Sequence, residues 1–405
     1  MKVLVCNAGS TSLKFKLYDM PECFVMAQCK IERVGSLNDA VFQYTNKISG
    51  ITVFRDRQNI PDYRTGIKAF LDALTSSSPG VPSDTGEIAR MGVLDDTGEI
   101  ARVGFKTVLS KGNFGVHELT KDVLEGMTAW LPLAPVHNSV YLEAIRTMRE
   151  ALPEALFLGV FETGFHQNIP VERRLYGVPY DWYLNYGVQR LGYHGASHGY
   201  IADVLNKKNK EYRAISCHLG GSCSICAIMD GVSVDTSFGM SLQSGPVHAN
   251  RVGDMDCDLT GFLRSEGLSD EEINDGLVKK GGLLGLSGIS GDLRYIEKAA
   301  ADGNERAGLA LDVFVTGIIR YIGAYYVELG GLDYLVFTGG IGENSPIVRG
   351  LTCDKLGALG VYMDSELNAK CAGAGDLSAK QSKVSILVIP ADEETGIARR
   401  TFEYN

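Results

Sequence analysis

The chain opens on an unbroken apolar run, Val3-Leu4-Val5-Cys6, breaks into a polar turn from Asn7 to Ser12, and resumes with Leu13, Phe15 and Leu17 alternating against polar neighbours. A continuous run predicts a strand buried on both faces, and alternation predicts a strand with one wet face. Residues 2–19 therefore read as a hairpin whose tip is rich in glycine and hydroxyls. The design returns later: residues 214–219 run as an apolar strand into Gly220-Gly221-Ser222, and a second hairpin follows with Asp230-Gly231 at its turn. Helical periodicity covers 64–75, 119–130, 293–302 and 305–328, and the last of these carries Gly308, Gly317 and Gly323, which predict close helix packing. Residues 156–161 predict a buried strand. Residues 332–345 predict another, running into a glycine-rich turn at 338–344 that would make a third phosphate-sized loop. The stretch 385–402 reads as strand, turn and helix, with Asp392 and Glu393 near the helix start.

Residues 76–83 are a loop by composition. A tandem repeat follows, DTGEIAR at 84–90 and again at 96–102. Two copies are too few for a solenoid, so the repeat reads as a local duplication in a surface loop, dispensable to the fold. The two glycine-rich hairpins lie far apart in a chain of 405 residues, which is long for one core. Two similar α/β domains facing each other across a cleft are the simplest architecture.

Charge narrows the partners. A formal net charge of −10 argues against nucleic acid or an anionic membrane as the main one, since both need a basic face. No run of 18 or more apolar residues appears, and the first apolar run is too short for a signal peptide, so a cytoplasmic location is expected. The nine cysteines are odd in number and scattered, which suits reduced thiols. Cys217, His218, Cys223 and Cys226 invite a test for zinc, but C-x₂-C occurs once with no second pair, and two strands around a turn fit the segment better.

Glycine in such turns lets backbone N–H groups approach an anion with no Cβ in the way. Asn7, Ser10 and Ser12 add side-chain donors, and Lys14 stands on the returning strand. Taken singly, each loop is ordinarily only a turn. No G-x₄-G-K-[ST] occurs, which excludes a P-loop enzyme.

Taken together, the motifs carry more. NAGSTSLKF at 7–15 resembles the N-terminal signature of the acetate kinase family, with Thr11 where Ser is common. YHGASH at 193–198 is similar to the family's F-H-G-T-S-H. FTGGIGENSPIVR at 337–349 and PADEETGIAR at 390–399 resemble its C-terminal motifs, and SVDTSFG, NRVGDMD and SGISGDLR fall in order between them. The resemblance implies the fold of the acetate and sugar kinase, Hsp70 and actin superfamily, with domains at 1–166 plus 395–405 and at 167–394, the second binding the nucleotide. It implies an enzyme: a phosphotransferase that moves phosphoryl from ATP, reversibly, to a short carboxylate, acetate first among them. Mg²⁺ (or Mn²⁺) would be required, ATP/ADP would be co-substrate, and a homodimer is suggested.

Carried over residue by residue, the resemblance implies these roles. Asn7, with Ser10, Ser12 and Lys14, would sit by the transferring phosphoryl group, and Asn7 and Glu393 would hold the metal. His194 and Arg251 would stabilise the developing charge, and Glu162 would be catalytic. His218, Gly220, Gly221, Asp292, Arg294, Gly339, Gly340, Ile341, Gly342 and Asn344 would surround the nucleotide. Lys106, Val108, Val136, His137, Tyr193 and Leu242 would contact the acid. Phosphoryl transfer needs an in-line acceptor and positive charge on the equatorial oxygens, which this set supplies.

Departures from the family pattern gather at the acid end. Phe105-Lys106 replaces a His-Arg pair, and lysine lacks the planar fork that grips a carboxylate. Glu162 replaces an Asp, Gly221 an Asn, Val136 a Leu, Tyr193 a Phe and Leu242 a Pro. A shared shift at Lys106 and Glu162 reads as compensation. These changes keep propionate, butyrate or a functionalised acid open as substrates. Two readings from other classes stand beside the kinase: a catalytically degenerate nucleotide-binding paralogue that regulates or scaffolds, and a sugar kinase or ATPase on the same fold.

Overall fold

The structure, a computed structural model, describes residues 1–9, 11–80 and 89–405, without the side chains of Gly80, Ala89, Pro135 and Val136. Ser10, most of the first repeat copy and the Val136 side chain thus lie outside the described residues. The chain divides into two compact units, residues 1–164 with 392–405, and residues 165–391.

In unit 1, β1 (Lys2–Gly9), β2 (Ser12–Asp19), β3 (Phe24–Glu32), β4 (Ser36–Asn46), β5 (Thr52–Ile60), β6 (Ile100–Thr107), β7 (Gly115–Glu118) and β8 (Leu156–Phe161) form one sheet in the order β5-β4-β3-β2-β1-β6-β8-β7. The strands β1, β6 and β8 run parallel, and β1 pairs antiparallel with β2 in the register Asn7↔Lys14. Val3 to Cys6 are fully buried, as a strand at the centre of a covered sheet requires. Helix α1 (Tyr63–Thr75), capped by Asp62 accepting from Thr65 N–H at 2.7 Å, packs Phe70 flat on Phe15 with ring centroids 4.3 Å apart. Helices α2 (Lys121–Ala129) and α3 (Pro135–Ala151) follow.

Strand β6 carries the C-terminal helix, Glu393–Glu403, through three residues of one face, spaced two apart. Arg102 donates to the carbonyls of Thr401, Phe402 and Tyr404 at 2.9, 2.8 and 2.7 Å, satisfying the helix end. Gly104 admits Thr401 where any Cβ would collide with it. Lys106 reaches Glu393 in the first turn. The second repeat copy therefore does not lie in a surface loop, as the sequence suggested. Asp96 and Glu99 make a capping box, Ile100 is buried, and Arg102 clasps the C-terminal helix. The repeat misleads because polar turn residues and a strand start share one heptapeptide.

In unit 2, β9 (Arg213–His218), β10 (Ser224–Met229), β11 (Val232–Thr236), β12 (Tyr334–Thr338), β13 (Gly375–Asp376) and β14 (Ser385–Val388) run in the order β11-β10-β9-β12-β14-β13. Two antiparallel pairings, two parallel ones and a final antiparallel one repeat the succession β3-β2-β1-β6-β8-β7 of unit 1. The Asp230-Gly231 turn has positive φ at both residues (52° and 86°), as a tight hairpin needs. Helix α4 (Gly195–Asn206), α5 (Leu293–Ala301) and α6 (Glu305–Leu329) cover the sheet. Among the described residues α6 is the one helix long and apolar enough to cross a membrane by length and composition. Its Ala310, Phe314, Ile318 and Ile322 are buried in one cluster with Ile215 and Leu335 of β9 and β12, so the apolar stripe serves the core. Close packing at its glycines holds only at Gly317, where a Cβ would meet Pro246 of a loop, not a helix; Gly308 and Gly323 face open space.

Candidate active site

Unit 1 gathers its predicted residues at the ends of three adjacent strands. Asn7 ends β1, Lys106 lies near the end of β6, and Glu162 follows β8. Lys106 Nζ is 2.5 Å from Glu393 and 3.3 Å from Glu162, and all three side chains are at most 16% exposed. Burial alone would lower the Lys106 ammonium, but the two carboxylates outweigh it and hold it well above the ordinary lysine range. The pairing of Lys106 with Glu162, read from their shared departure, is a contact in the structure. Tyr141 of α3 was not foreseen. It is buried, its hydroxyl donates to Asn7 Oδ1 at 3.2 Å, and burial, ahead of the opposing pull of Lys106, pushes its phenol far up. Lys14 is exposed across from Lys30, Ser12 is half-buried at the start of β2, and Val108 is buried beyond β6. His137 is exposed in the first turn of α3.

In unit 2 the turn after β9 borders open space. Gly220 and Gly221 line a cavity of about 560 Å³ with Asp292, Arg294, Glu297, Gly340, Ile341 and Asn344. A Cβ at Gly221 or Gly340 would meet nothing, so both leave room for a ligand. Asp292 caps α5, accepting from Arg294 N–H at 3.1 Å and pairing with its guanidinium. Arg251 lies beside the turn and donates to Ser222 Oγ at 2.5 Å. Burial lowers its guanidinium from the ordinary range, and no carboxylate pairs with it among the described residues. Asp254, three residues further along the chain, accepts instead from Tyr321 and from Gly245 N–H.

The loop 338–344 corrects the sequence reading. Its amides are largely spent inside the protein: Ile341 and Gly342 donate to Leu219 O at 2.8 and 3.2 Å, and Gly339 donates to Glu343. Gly339, at φ 77°, and Gly342 serve the turn, while Gly340, Ile341 and Asn344 line the cavity. Glu297 was missed, although a residue four beyond Leu293 on a helix capped by Asp292 faces the same way. Ser345 donates to Glu297 and fixes it.

His194 and His218 lie side by side, ring centroids 4.1 Å apart and planes tilted by 33°. Tyr193 is buried, its ring edge-on to Phe238 at 5.5 Å and its hydroxyl donating to Met240 O at 2.5 Å, so the oxygen that distinguishes it from Phe is already satisfied. Leu242 is half-buried in the irregular segment after Phe238.

The model of the acetokinase family matches residues 2–399. An acetate kinase of Geobacillus kaustophilus is 40% identical over 404 residues, covering 98% of each chain. The crystal structure of Porphyromonas gingivalis acetate kinase superposes with a TM-score of 0.86 at 36% identity, covering 99% of this chain and 98% of that one. That of a propionate kinase from Francisella tularensis gives 0.88 at 29% identity, covering all of both. The fold is that of the acetate and sugar kinase, Hsp70 and actin superfamily. With ATP and a carboxylate as substrates, the chain is a phosphotransferase whose acceptor is a carboxyl group, and it belongs to the acetokinase family.

Proposed function

We propose that the protein converts acetate, or an acid close to it in size, and ATP into an acyl phosphate and ADP, reversibly and with Mg²⁺. The observation that carries the reading is Arg251: a half-buried guanidinium with no carboxylate partner among the described residues, held by Ser222 beside the glycines of a nucleotide-sized cavity. Such a cation is uncompensated until an anion arrives, and phosphoryl transfer builds its charge on the equatorial oxygens. His194 adds a hydrogen bond to the same charge.

The donor set of unit 1 fits a hard cation. Glu393 and Glu162 are carboxylates and Asn7 an amide oxygen, which are oxygen ligands of the kind Mg²⁺ takes alongside substrate phosphates. Glu393 and Asn7 would hold the ion, which would neutralise phosphate charge. Lys106 would keep Glu162 and Glu393 ionised and apart. The attacking carboxylate is an anion at neutral pH, so no strong base is needed and Glu162 serves to orient. Val108, Val136, Tyr193 and Leu242 would set the size of the acyl group, where one methylene is worth about 1–3 kcal/mol. A homodimer in the cytoplasm is the setting the resemblance supports.

The test is a hydroxamate assay with ATP, Mg²⁺ and a series from formate to butyrate. Acyl hydroxamate should form with acetate or a near neighbour and depend on the metal. ATP hydrolysis with no acid-dependent hydroxamate would sink the reading.

A further inference from the structure

Five of the seven histidines lie in unit 2, and hydroxyls link several of them. His194 Nδ1 is 2.9 Å from Ser224 Oγ. The same oxygen is 2.7 Å from His198 Nε2, and His198 Nδ1 is 2.9 Å from Ser216 Oγ. His198, Ser216 and Ser224 are fully buried. The chain Ser216–His198–Ser224–His194 is thus continuous, and dry from Ser216 to Ser224, with His194 half-buried at its end. We propose that Ser216, His198 and Ser224 form a relay that fixes the tautomer of His194, so that its imidazole carries the proton on Nε2 and acts as a neutral hydrogen-bond donor. The inference rests on the reading of His194 as a ligand of the phosphoryl group.

The argument is a count of protons. Ser224 has one hydroxyl proton and two imidazole nitrogens beside it, so it donates to one and accepts from the other. His198 is neutral, since burial, reinforced by His166 and His218, holds it well below the ordinary imidazole range. It therefore carries one proton, and two arrangements satisfy both links. In the first, Ser216 donates to His198 Nδ1, His198 Nε2–H donates to Ser224, and Ser224 donates to His194 Nδ1. His194 then holds its proton on Nε2. In the second, every bond is reversed, and neutral His194 has a bare Nε2.

The two are not equal. In the second arrangement Ser216 accepts from His198, and its own proton has no other acceptor within reach among the described residues. A buried hydroxyl left undonated is unfavourable, so the first arrangement prevails. The neighbours obey the same logic. His166 Nε2 faces Tyr193 O at 2.9 Å, a carbonyl that only accepts, so His166 Nδ1 takes the proton of Ser233 at 2.8 Å. Cys223 N–H donates to His248 Nδ1 at 3.0 Å, which leaves the His248 proton on Nε2, toward Ser244 O. Ser224, His198 and Ser216 are positioning residues, acting on the phosphoryl group only through His194. A neutral donor gains nothing from acid, so turnover needs no protonation of His194.

The test is ¹⁵N–¹H long-range correlation on the full-length protein labelled in its histidines, with assignment by His194→Asn. At pH 7.5 the His194 signals should show protonated Nε2 and bare Nδ1. Ser224→Ala should mix the tautomers and lower kcat roughly 10-fold, less than the about 10²–10³-fold of losing a donor outright. KM for ATP should hold, and the remaining activity should rise as pH falls through the His194 titration. Ser224→Thr, which keeps the hydroxyl, should restore both signals and rate. A proton on His194 Nδ1 in the wild type overturns the relay, whether or not any variant folds; so does a Ser224→Ala spectrum identical to wild type. Mixed tautomers with unchanged turnover would leave the relay standing and overturn instead the role given to His194.

Discussion

The polar clusters of the two units are built on opposite principles. In unit 1 the charges are already paired within the cluster: Glu162 and Glu393 share the ammonium of Lys106, and Asn7 is held by Tyr141. In unit 2 the main charge, Arg251, has a hydroxyl and no carboxylate among the described residues. A closed cluster fixes geometry, and its worth is felt mainly when one member is removed. An open one stores an unmet electrostatic demand that a substrate anion fulfils. Damage to the first should therefore read as lost stability together with lost turnover, and damage to the second as lost turnover alone.

The sharpest break is Lys106→Met. It leaves two largely buried carboxylates facing each other without their cation, and removing one partner of such a group costs about 3–5 kcal/mol. Denaturant unfolding at pH 7.5 should show unit 1 yielding first. An unchanged midpoint would mean the triad is not closed.

Arg251→Ala should do the reverse. Loss of a preorganised cation from the transition state lowers kcat by about 10²–10³-fold, close to 3–4 kcal/mol, while the unfolding midpoint stays near wild type. Retention of more than about half of the activity would remove the contrast between the clusters.

A gentler probe is acid. Burial holds His198 well below the ordinary imidazole range, His166 down at about 4 and His248 at about 3. Their folded values lie below their unfolded ones, so the stability they contribute is present above about pH 6.5 and is lost as pH falls toward the folded values. Each group gives a slope of up to about 1.4 kcal/mol per pH unit. All three belong to unit 2. Hydrogen exchange between pH 7 and pH 5 should show β9 and β10 losing protection before β1 and β6. Equal loss in both units would show that the buried histidines do not set the acid limit.

Much of this was legible in the chain because it is local. Val3 to Cys6 could only be a covered strand, and Asp230-Gly231 only a tight turn. The motif set at 7–15, 193–198 and 337–349 identified the family without coordinates, and the joint departure of Lys106 and Glu162 announced a contact. Two local readings failed for a shared reason. The copy of DTGEIAR at 96–102 looks polar and loop-like, yet Arg102 and Gly104 receive the C-terminal helix; the loop at 338–344 looks like a phosphate cradle, yet its amides turn inward to Leu219 O. What a backbone amide or a strand residue is used for depends on a partner far away in sequence.

The sequence by itself determined the elements, the duplicated design of two hairpins, the reaction class and most of the residues in the two clusters, since periodicity, turn chemistry and motif order are properties of neighbours along the chain. Only the tertiary structure decided which charges are paired and which are not. It brought Lys106 to Glu393 across nearly 300 residues, set Tyr141 on Asn7, kept Asp254 away from Arg251, and threaded Ser224 between His194 and His198. Those choices follow from strand register and helix docking, where displacements of a few ångströms separate an ion pair from an open cation. A one-dimensional pattern carries no such distances.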